Sequence, residues 1–541
     1  MVGEESRSAG PGPSSPAGAF LSGRIRSTWA FLAVILLVAA AARFAALPQS
    51  REGNMTPDGA RFLNLARSIR DGEGFVTPEA CPAWLRPDSL PTPETFKEPG
   101  YPYAIAAAGS LAPNLFDAGQ SVSLLAGLLI PLVTYALFRA MRLERSTATV
   151  AGIFAAASPL LIQQSVYLMA DSLFALMIAL SFLFSLTGRG GRTRLRAGPA
   201  ALLAGAAFGL AFLVRAQAVF ALPALVLALA SGRGRGEAAR ALALAALAFL
   251  AVYSPYMVRN MRIFGVPFYS DVSAIGALPY MDVSAFTHSL ERPPSGLSMA
   301  LEHPGRILSH SLGGLRTFAF HILPGYILGH RVWLIPLAAG LVLALREIRR
   351  WGSVLLYGFL MLVSLLPLAW LPRYFTAFVP FAAGLTAVGL VRLFGLMNVL
   401  RPRARRPAAA TAAVACAAIL LLQTGRAVRG TPNTFTPELD AARKWGLWLE
   451  ERLEPGEAVM AETTSYWSWY SERPSVYLVI SGEDRFEEVV EELAVRWAAL
   501  PLSRLEEYAA LYPSGRLPAA LVPFTEDPQR DIAIFRVELA P

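Results

Sequence analysis

The sequence predicts a polytopic α-helical membrane protein with about eleven transmembrane helices and a small C-terminal α/β domain. Three observations carry that prediction. Of 541 residues, 54% are hydrophobic and only 16% charged, with mean hydropathy +0.45, against about 25% charged residues in soluble domains. Apolar runs of roughly 17–25 residues, the length that crosses a bilayer, recur along the chain. Every second connection between these runs is rich in Arg, as the positive-inside rule requires.

The runs lie at 29–47, 118–138, 147–168, 171–187, 197–214, 217–231, 240–257, 328–345, 352–371, 374–394 and 408–424. Residues 1–24, rich in Ser, Pro, Gly and Ala, are expected to be disordered and cytoplasmic. The first run follows Arg24 and Arg26 and is too long for a signal-peptide core, so it is read as a retained anchor. With the N-terminus cytoplasmic, the inside loops carry Arg139/Arg142/Arg145, Arg189/Arg192/Arg194/Arg196, Arg233/Arg235/Arg240, Arg346/Arg349/Arg350 and Arg401/Arg403/Arg405/Arg406. An odd number of spans puts the C-terminus outside. The long outside regions are then 48–117, 258–327 and the tail, 425–541.

The tail changes character. Charged helical stretches are expected at Leu439–Leu453 and Asp484–Trp497. Short β runs are expected at Ala458–Ala461, Val476–Ile480, Ala520–Pro523 and Ile532–Val537. The two Cys, Cys81 and Cys416, fit no metal or disulfide framework. No internal repeat, Gly-rich phosphate loop or nucleic-acid signature is present.

The polar residues with chemical potential gather on the expected outside face. Thr56 suits a helix cap, Pro57 the first helical position and Asp58 the first turn. Phe62, Leu65, Ala66 and Ile69 recur at helical spacing, with Arg61, Arg67 and Arg70 on other faces, which predicts an amphipathic helix on the membrane surface. Asp58 has two readings: a favourable charge at the helix dipole, or a general base for a hydroxyl held within hydrogen-bond reach. Pro99 and Pro102 stiffen the turn that presents Lys97 and Glu98, otherwise a surface ion pair of little worth. Asp171 sits where the third and fourth spans meet, either as a simple polar turn residue or facing a cavity. Arg215, Arg259, Arg262 and Arg373 run against the inside-positive trend. A guanidinium suits a phosphate bidentately, although one or two of the four could merely snorkel to headgroups. Carboxylates and phosphate-suited cations on one face suggest a lipid-phosphate substrate that reacts there.

These residues form motifs: D-x-x-x-F-L-x-x-A at Asp58–Ala66, E-P-G-Y-P at Glu98–Pro102, Y-L-M-A-D-S-L-F around Asp171, S-P-Y-M-V-R-N-M-R-I-F-G-V-P around Arg259 and L-P-R-Y-F-T-A-F-V-P around Arg373. In order and topology they resemble the GT-C membrane glycosyltransferases. The pattern is similar to that of bacterial relatives of dolichyl-phosphate-mannose protein mannosyltransferase and lipid A aminoarabinose transferase. The resemblance spans about residues 25–540. It implies a transmembrane catalytic domain over 25–424 and an extracytoplasmic domain over 425–541. It further implies inverting transfer of a hexose or pentose from a polyprenyl-phosphate sugar to a protein, lipid or glycan acceptor at the plasma membrane. Asp58 matches the presumed base, with Glu98 and Asp171 as further acids at the catalytic centre. Lys97, Arg215, Arg259 and Arg373 are the candidate holders of the donor phosphate. No cofactor and no nucleic-acid partner is expected; a divalent metal stays open, without a D-x-D motif to hold it.

Two other classes remain open from the residues. A transporter or flippase of lipid-linked saccharides would show charged or broken helices near the bilayer middle and repeated halves, and the sequence shows neither. An oligosaccharide ligase or polymerase would place its largest polar loop late in the span order, whereas here the first loop is the chemically dense one.

Overall fold

The computed structural model describes residues 16–49, 55–80, 89–187, 197–271, 298, 301–365, 371–400, 422–423, 425, 437–479, 483–512 and 514–539. Cys81 and Cys416 lie outside these residues, as does nearly all of the expected span 408–424.

Helix α1 (Pro16–Ala46) begins inside the stretch expected to be disordered. Pro16 supplies a pre-set φ at the first turn, and beyond Gly18 and Gly23 a run rich in Ala, Leu and Val carries the helix on. The other helices of the first half are α2 (Pro57–Arg70), α3 (Gly100–Ala108), α4 (Leu115–Ala140), α5 (Arg145–Ala157), α6 (Pro159–Val166), α7 (Asp171–Thr187), α8 (Ala197–Val214), α9 (Leu222–Ala230) and α10 (Arg235–Phe264). Next come α11 (Pro304–Thr317), α12 (Leu334–Arg346), α13 (Ile348–Leu365) and α14 (Val379–Leu400).

Among the described residues, six helices are long and apolar enough to cross a membrane, and two bent pairs bring the number to as many as 8. The chain is thus a multi-pass membrane protein. The expected runs 171–187 and 217–231 appear as shorter apolar helices, Asp171–Thr187 and Ala216–Ala230. Small residues set the helix spacing in places. A Cβ on Gly340 would lie 1.9 Å from the Leu385 carbonyl oxygen, and one on Gly389 would lie 1.8 Å from that of Pro336. Helices α12 and α14 therefore approach backbone to backbone, a contact that only Gly permits there.

The membrane part departs from the sequence reading in three places. The span 145–166 is broken between α5 and α6, which meet at 54°. Pro159 has no N–H to give the ladder and pushes Ser158 into an extended conformation, ψ 122°. Arg43, inside the first apolar run, is fully buried against that break. Its guanidinium donates to the carbonyls of Ala39 (3.1 Å) and Ala156 (3.0 Å) and to Ser165 Oγ (3.1 Å), satisfying backbone groups that lipid could not. So a buried charge in the last turn of α1 and a broken helix meet, and each answers the other. Third, residues 304–327 of the second long loop are helical, ending in a π-helical stretch, Phe318–Ile327.

The tail holds α15 (Pro437–Glu450), α16 (Thr464–Ser471), α17 (Glu483–Glu492) and α18 (Leu505–Leu511). Its strands are β4 (Ala458–Ala461), β5 (Ser475–Tyr477), β6 (Val495–Pro501), β7 (Leu521–Asp527) and β8 (Ile532–Val537). Three short strands belong to the first loop: β1 (Val76–Thr77), β2 (Glu79–Ala80) and β3 (Thr92–Pro93). One six-stranded sheet has the order β2-β5-β4-β6-β8-β7. Strands β2, β5, β4 and β6 run parallel; β8 and β7 are antiparallel. Val495–Trp497, expected to finish a helix, instead opens β6. Ala494, with φ 49°, ends the turn after α17 and redirects the chain into the sheet. Because β2 comes from the first loop, loop and tail share one sheet.

Candidate active site

Helix α2 starts as its local chemistry dictates. Thr56 Oγ1 accepts from Gly59 N at 3.0 Å and Pro57 fills the first position. The helix does not lie on a membrane surface. Residues Gly59 to Ala66, Arg61 and Asn64 included, are buried. On one side Phe62 meets Tyr101 edge to face, with ring centroids 5.0 Å apart. On the other lies α16: Tyr466 Oη donates to the Met55 carbonyl at 2.7 Å, and Arg67 donates to the Trp469 carbonyl at 3.1 Å. The tail covers the face that the sequence alone would leave to water.

Asp58 stands at the first turn with each carboxylate oxygen held by a different cation. Lys97 Nζ lies 2.6 Å from Oδ1, and Arg373 Nη1 lies 2.6 Å from Oδ2. The three side chains are 25%, 23% and 28% exposed, so solvent or a ligand can reach them. Burial acts to raise the Asp58 pKa, but the charges and hydrogen bonds of Lys97 and Arg373 win and hold it well below the usual carboxylate range.

Next to this trio, Arg215 Nη2 donates to Asp171 Oδ2 at 3.2 Å, with Nη1 3.2 Å from Oδ1, and Asp171 is fully buried. The two groups are linked electrostatically, since Arg373, Asp58 and Lys97 all act on Asp171. Tyr374 lies between them, with the Arg215 and Arg373 guanidinium carbons each 5.6 Å from its ring. Glu98 borders the cluster and accepts the backbone N–H of Ala216; desolvation raises its pKa. Three cations, Lys97, Arg215 and Arg373, meet three carboxylates, Asp58, Asp171 and Glu98. One Arg373 donor, Nε, is buried with no hydrogen-bond partner in the protein. An anion can take Lys97 and Arg373 only by displacing the Asp58 carboxylate.

Arg259 is not part of this cluster. It lies in α10, five residues before its end, where Nη2 donates to the carbonyls of Phe75 (3.0 Å) and Glu94 (3.2 Å) and Nη1 to Asn260 Oδ1 (2.9 Å). The rings of Phe75, Tyr256 and Phe264 lie 5.2, 5.6 and 5.6 Å from its guanidinium carbon. Its donors brace the first loop.

The sequence reading missed the residues that set the loop's shape. Glu94 is fully buried, takes Arg61 bidentately at 2.9–3.0 Å, and accepts the backbone N–H groups of Phe96 (2.6 Å) and Lys97 (2.9 Å). Glu79, also buried, accepts from Asn64 (2.9 Å) and Ser465 Oγ (2.6 Å). The available signal for Glu94 was weak: an acid three residues before Lys97, placed to fold a turn onto itself.

Comparison with known proteins agrees with this architecture. Residues 93–258 match the sequence model of the family described as dolichyl-phosphate-mannose-protein mannosyltransferase. No curated protein matches the chain by sequence. Among solved structures, the chain is similar to the Archaeoglobus fulgidus oligosaccharyltransferase tethered with an acceptor peptide, at 16% identity and TM-score 0.61, covering 95% of this chain and 74% of that one. It is also similar to ArnT from Cupriavidus metallidurans, at 15% identity and TM-score 0.56 in the apo state, covering 95% and 98%. ArnT bound to undecaprenyl phosphate matches at 16% identity and TM-score 0.52, covering 94% and 97%. The chain therefore has the fold of the GT-C membrane glycosyltransferases.

Proposed function

We propose that this protein is an inverting glycosyltransferase. It moves a sugar from a polyprenyl-phosphate donor to an acceptor hydroxyl at the outer face of the plasma membrane. It would do so with about eleven spans, a cytoplasmic N-terminus and an extracytoplasmic tail. The observation that carries the reading is the splitting of Asp58 between Lys97 and Arg373. Both cations are reachable. The similarity to structures that hold undecaprenyl phosphate or a dolichol-phosphate supports the choice of donor.

In this account Asp58 occupies the phosphate's place at rest. The donor phosphate draws Lys97 and Arg373 to itself, a charge-assisted contact stronger than a neutral one. Asp58 then loses the partners that depress its pKa, and its basicity rises only when the donor is bound. The acceptor hydroxyl gives its proton to Asp58 and attacks the anomeric carbon. The bond to the phosphate oxygen breaks, and both electrons leave with the phosphate, whose charge the two cations stabilise. Attack opposite to the leaving group inverts the centre. Arg215 and Asp171 keep the floor of the site rigid and add positive potential through Arg215.

Mass spectrometry of cell-envelope glycans, lipids and glycoproteins, with and without the protein, tests this reading. It predicts one glycan mass shift that disappears with the protein. An unchanged profile, together with no transfer from polyprenyl-phosphate sugars by purified protein, overturns it.

A further inference from the structure

The π-helical stretch Phe318–Ile327 and the segment Arg331–Arg346 belong to two helices that meet across a bend of 106°. A cavity of about 410 Å³ opens at this bend, and its walls include Phe320, His321, Tyr326, His330 and Arg331. Two imidazoles and a guanidinium thus face one space, with no carboxylate among the described residues that line it. His330 Nδ1 accepts the Val332 N–H at 3.2 Å, which leaves the proton of the neutral ring on Nε2 as a donor. The walls are anchored. Ser158 Oγ donates to the Ile327 carbonyl at 2.9 Å, and Gln423 Nε2 to that of Leu328 at 2.9 Å. π-helical turns are uncommon and often mark functional sites.

A second observation is consistent with a cavity at the level of lipid headgroups. Helix α11, which runs into the π stretch, exposes Leu308 (61%), Leu312 (58%) and Leu315 (39%). Their spacing is that of one helical face, while Arg306, His310 and Arg316 lie elsewhere on the helix. In a membrane protein, such a helix rests in the bilayer interface. The cavity also shares an end of the bundle with the Asp58 cluster, because Phe318 packs on Phe375, two residues after Arg373, with ring centroids 4.7 Å apart.

We propose that this cavity is a second anion site, which holds the phosphate of a membrane lipid between Arg331, His321 and His330. Phe320 and Tyr326 cover the adjoining carbon chain. The bilayer presents two lipids with that chemistry, an anionic phospholipid and a polyprenyl phosphate. The site is separate from Asp58, so its test is binding and does not depend on the proposed reaction.

The experiment is native mass spectrometry of the full-length protein in mild detergent. Phosphatidylglycerol, a polyprenyl monophosphate and diacylglycerol, which lacks phosphate, are added separately. Expected is retention of at least one phosphate lipid over diacylglycerol, reduced about tenfold or more in Arg331→Gln and in His321→Gln. That is the loss expected for a hydrogen bond to a charged group. Arg306→Gln, on the exposed helix α11, keeps the retention, and each variant is also read on an Arg373→Met background, where the Asp58 site holds polyprenyl phosphate less. Loss of phosphatidylglycerol alone identifies a phospholipid site, and loss of polyprenyl phosphate alone a waiting position for the carrier; either supports the proposal. Equal retention of diacylglycerol, unchanged retention in both variants, or an equal fall in Arg306→Gln overturns it. Where Arg331→Gln does not fold, judged by its melting curve, His321→Gln decides.

Discussion

Arg373 Nη1 lies 2.6 Å from Asp58 Oδ2, a contact between residues 315 positions apart in the chain. Asp58 opens a loop helix, and Arg373 opens the last described apolar helix. Their meeting defines the centre of the site.

Arg373 and Lys97 are assigned to the donor phosphate. Arg373→Met should raise the donor KM about tenfold or more, the worth of a hydrogen bond to a charged group, while the acceptor KM moves far less. Arg373→Lys should recover part of the loss, since Lys keeps the charge but not the fork. Steady-state kinetics with each substrate varied in turn checks this. Equal changes in both constants count against a phosphate role.

Glu94 and Arg61 form a buried ion pair on which the turn before Lys97 is built. Glu94→Gln leaves Arg61 with less compensation and should destabilise the protein by about 3 kcal/mol, as broken buried pairs do. Arg61→Met should cost a similar amount, and the double variant less than the sum, because the two share one interaction. Melting temperatures of the four proteins in one detergent give the coupling. Strict additivity removes the pair from the account.

Glu438 of α15 gives a pH signature. Burial, with the neighbouring Glu462, pushes its pKa up to about 7 against hydrogen bonds from Thr463. A carboxyl with a raised folded pKa binds protons more tightly in the native state. Its stabilising effect is therefore complete below the unfolded value, about 4.3, and lost as pH rises through about 7. Glu438→Gln should melt higher than the parent at pH 8, and the gap should close at pH 4. A gap that does not depend on pH contradicts the assignment.

The parts of this fold that the sequence revealed are those with local causes. The start of α2 follows from Thr56 and Pro57, and the Ser158-Pro159 step could have announced the break in the third span. Pairing could not be read so directly. Arg259 and Arg373 look alike in sequence, both Arg residues beside aromatic and Pro residues. Nη2 of Arg259 donates to two carbonyls of the first loop, whereas Arg373 pairs with the Asp58 carboxylate. Helix α2 reads as amphipathic and surface-lying because α16, which covers it, lies about four hundred positions away. Strand β2 has two residues and no periodicity to detect; it exists because the β5 edge accepts it. Glu94 carries no motif, and its weight comes from Arg61, 33 positions earlier.

The central claim is that Asp58 takes the acceptor proton. Its most direct measurement is the turnover of Asp58→Asn with a polyprenyl-phosphate sugar donor, in protein whose melting curve shows it folded. The account predicts a fall of about a hundredfold or more, with the donor still bound through Lys97 and Arg373. Turnover at the parent rate would contradict it.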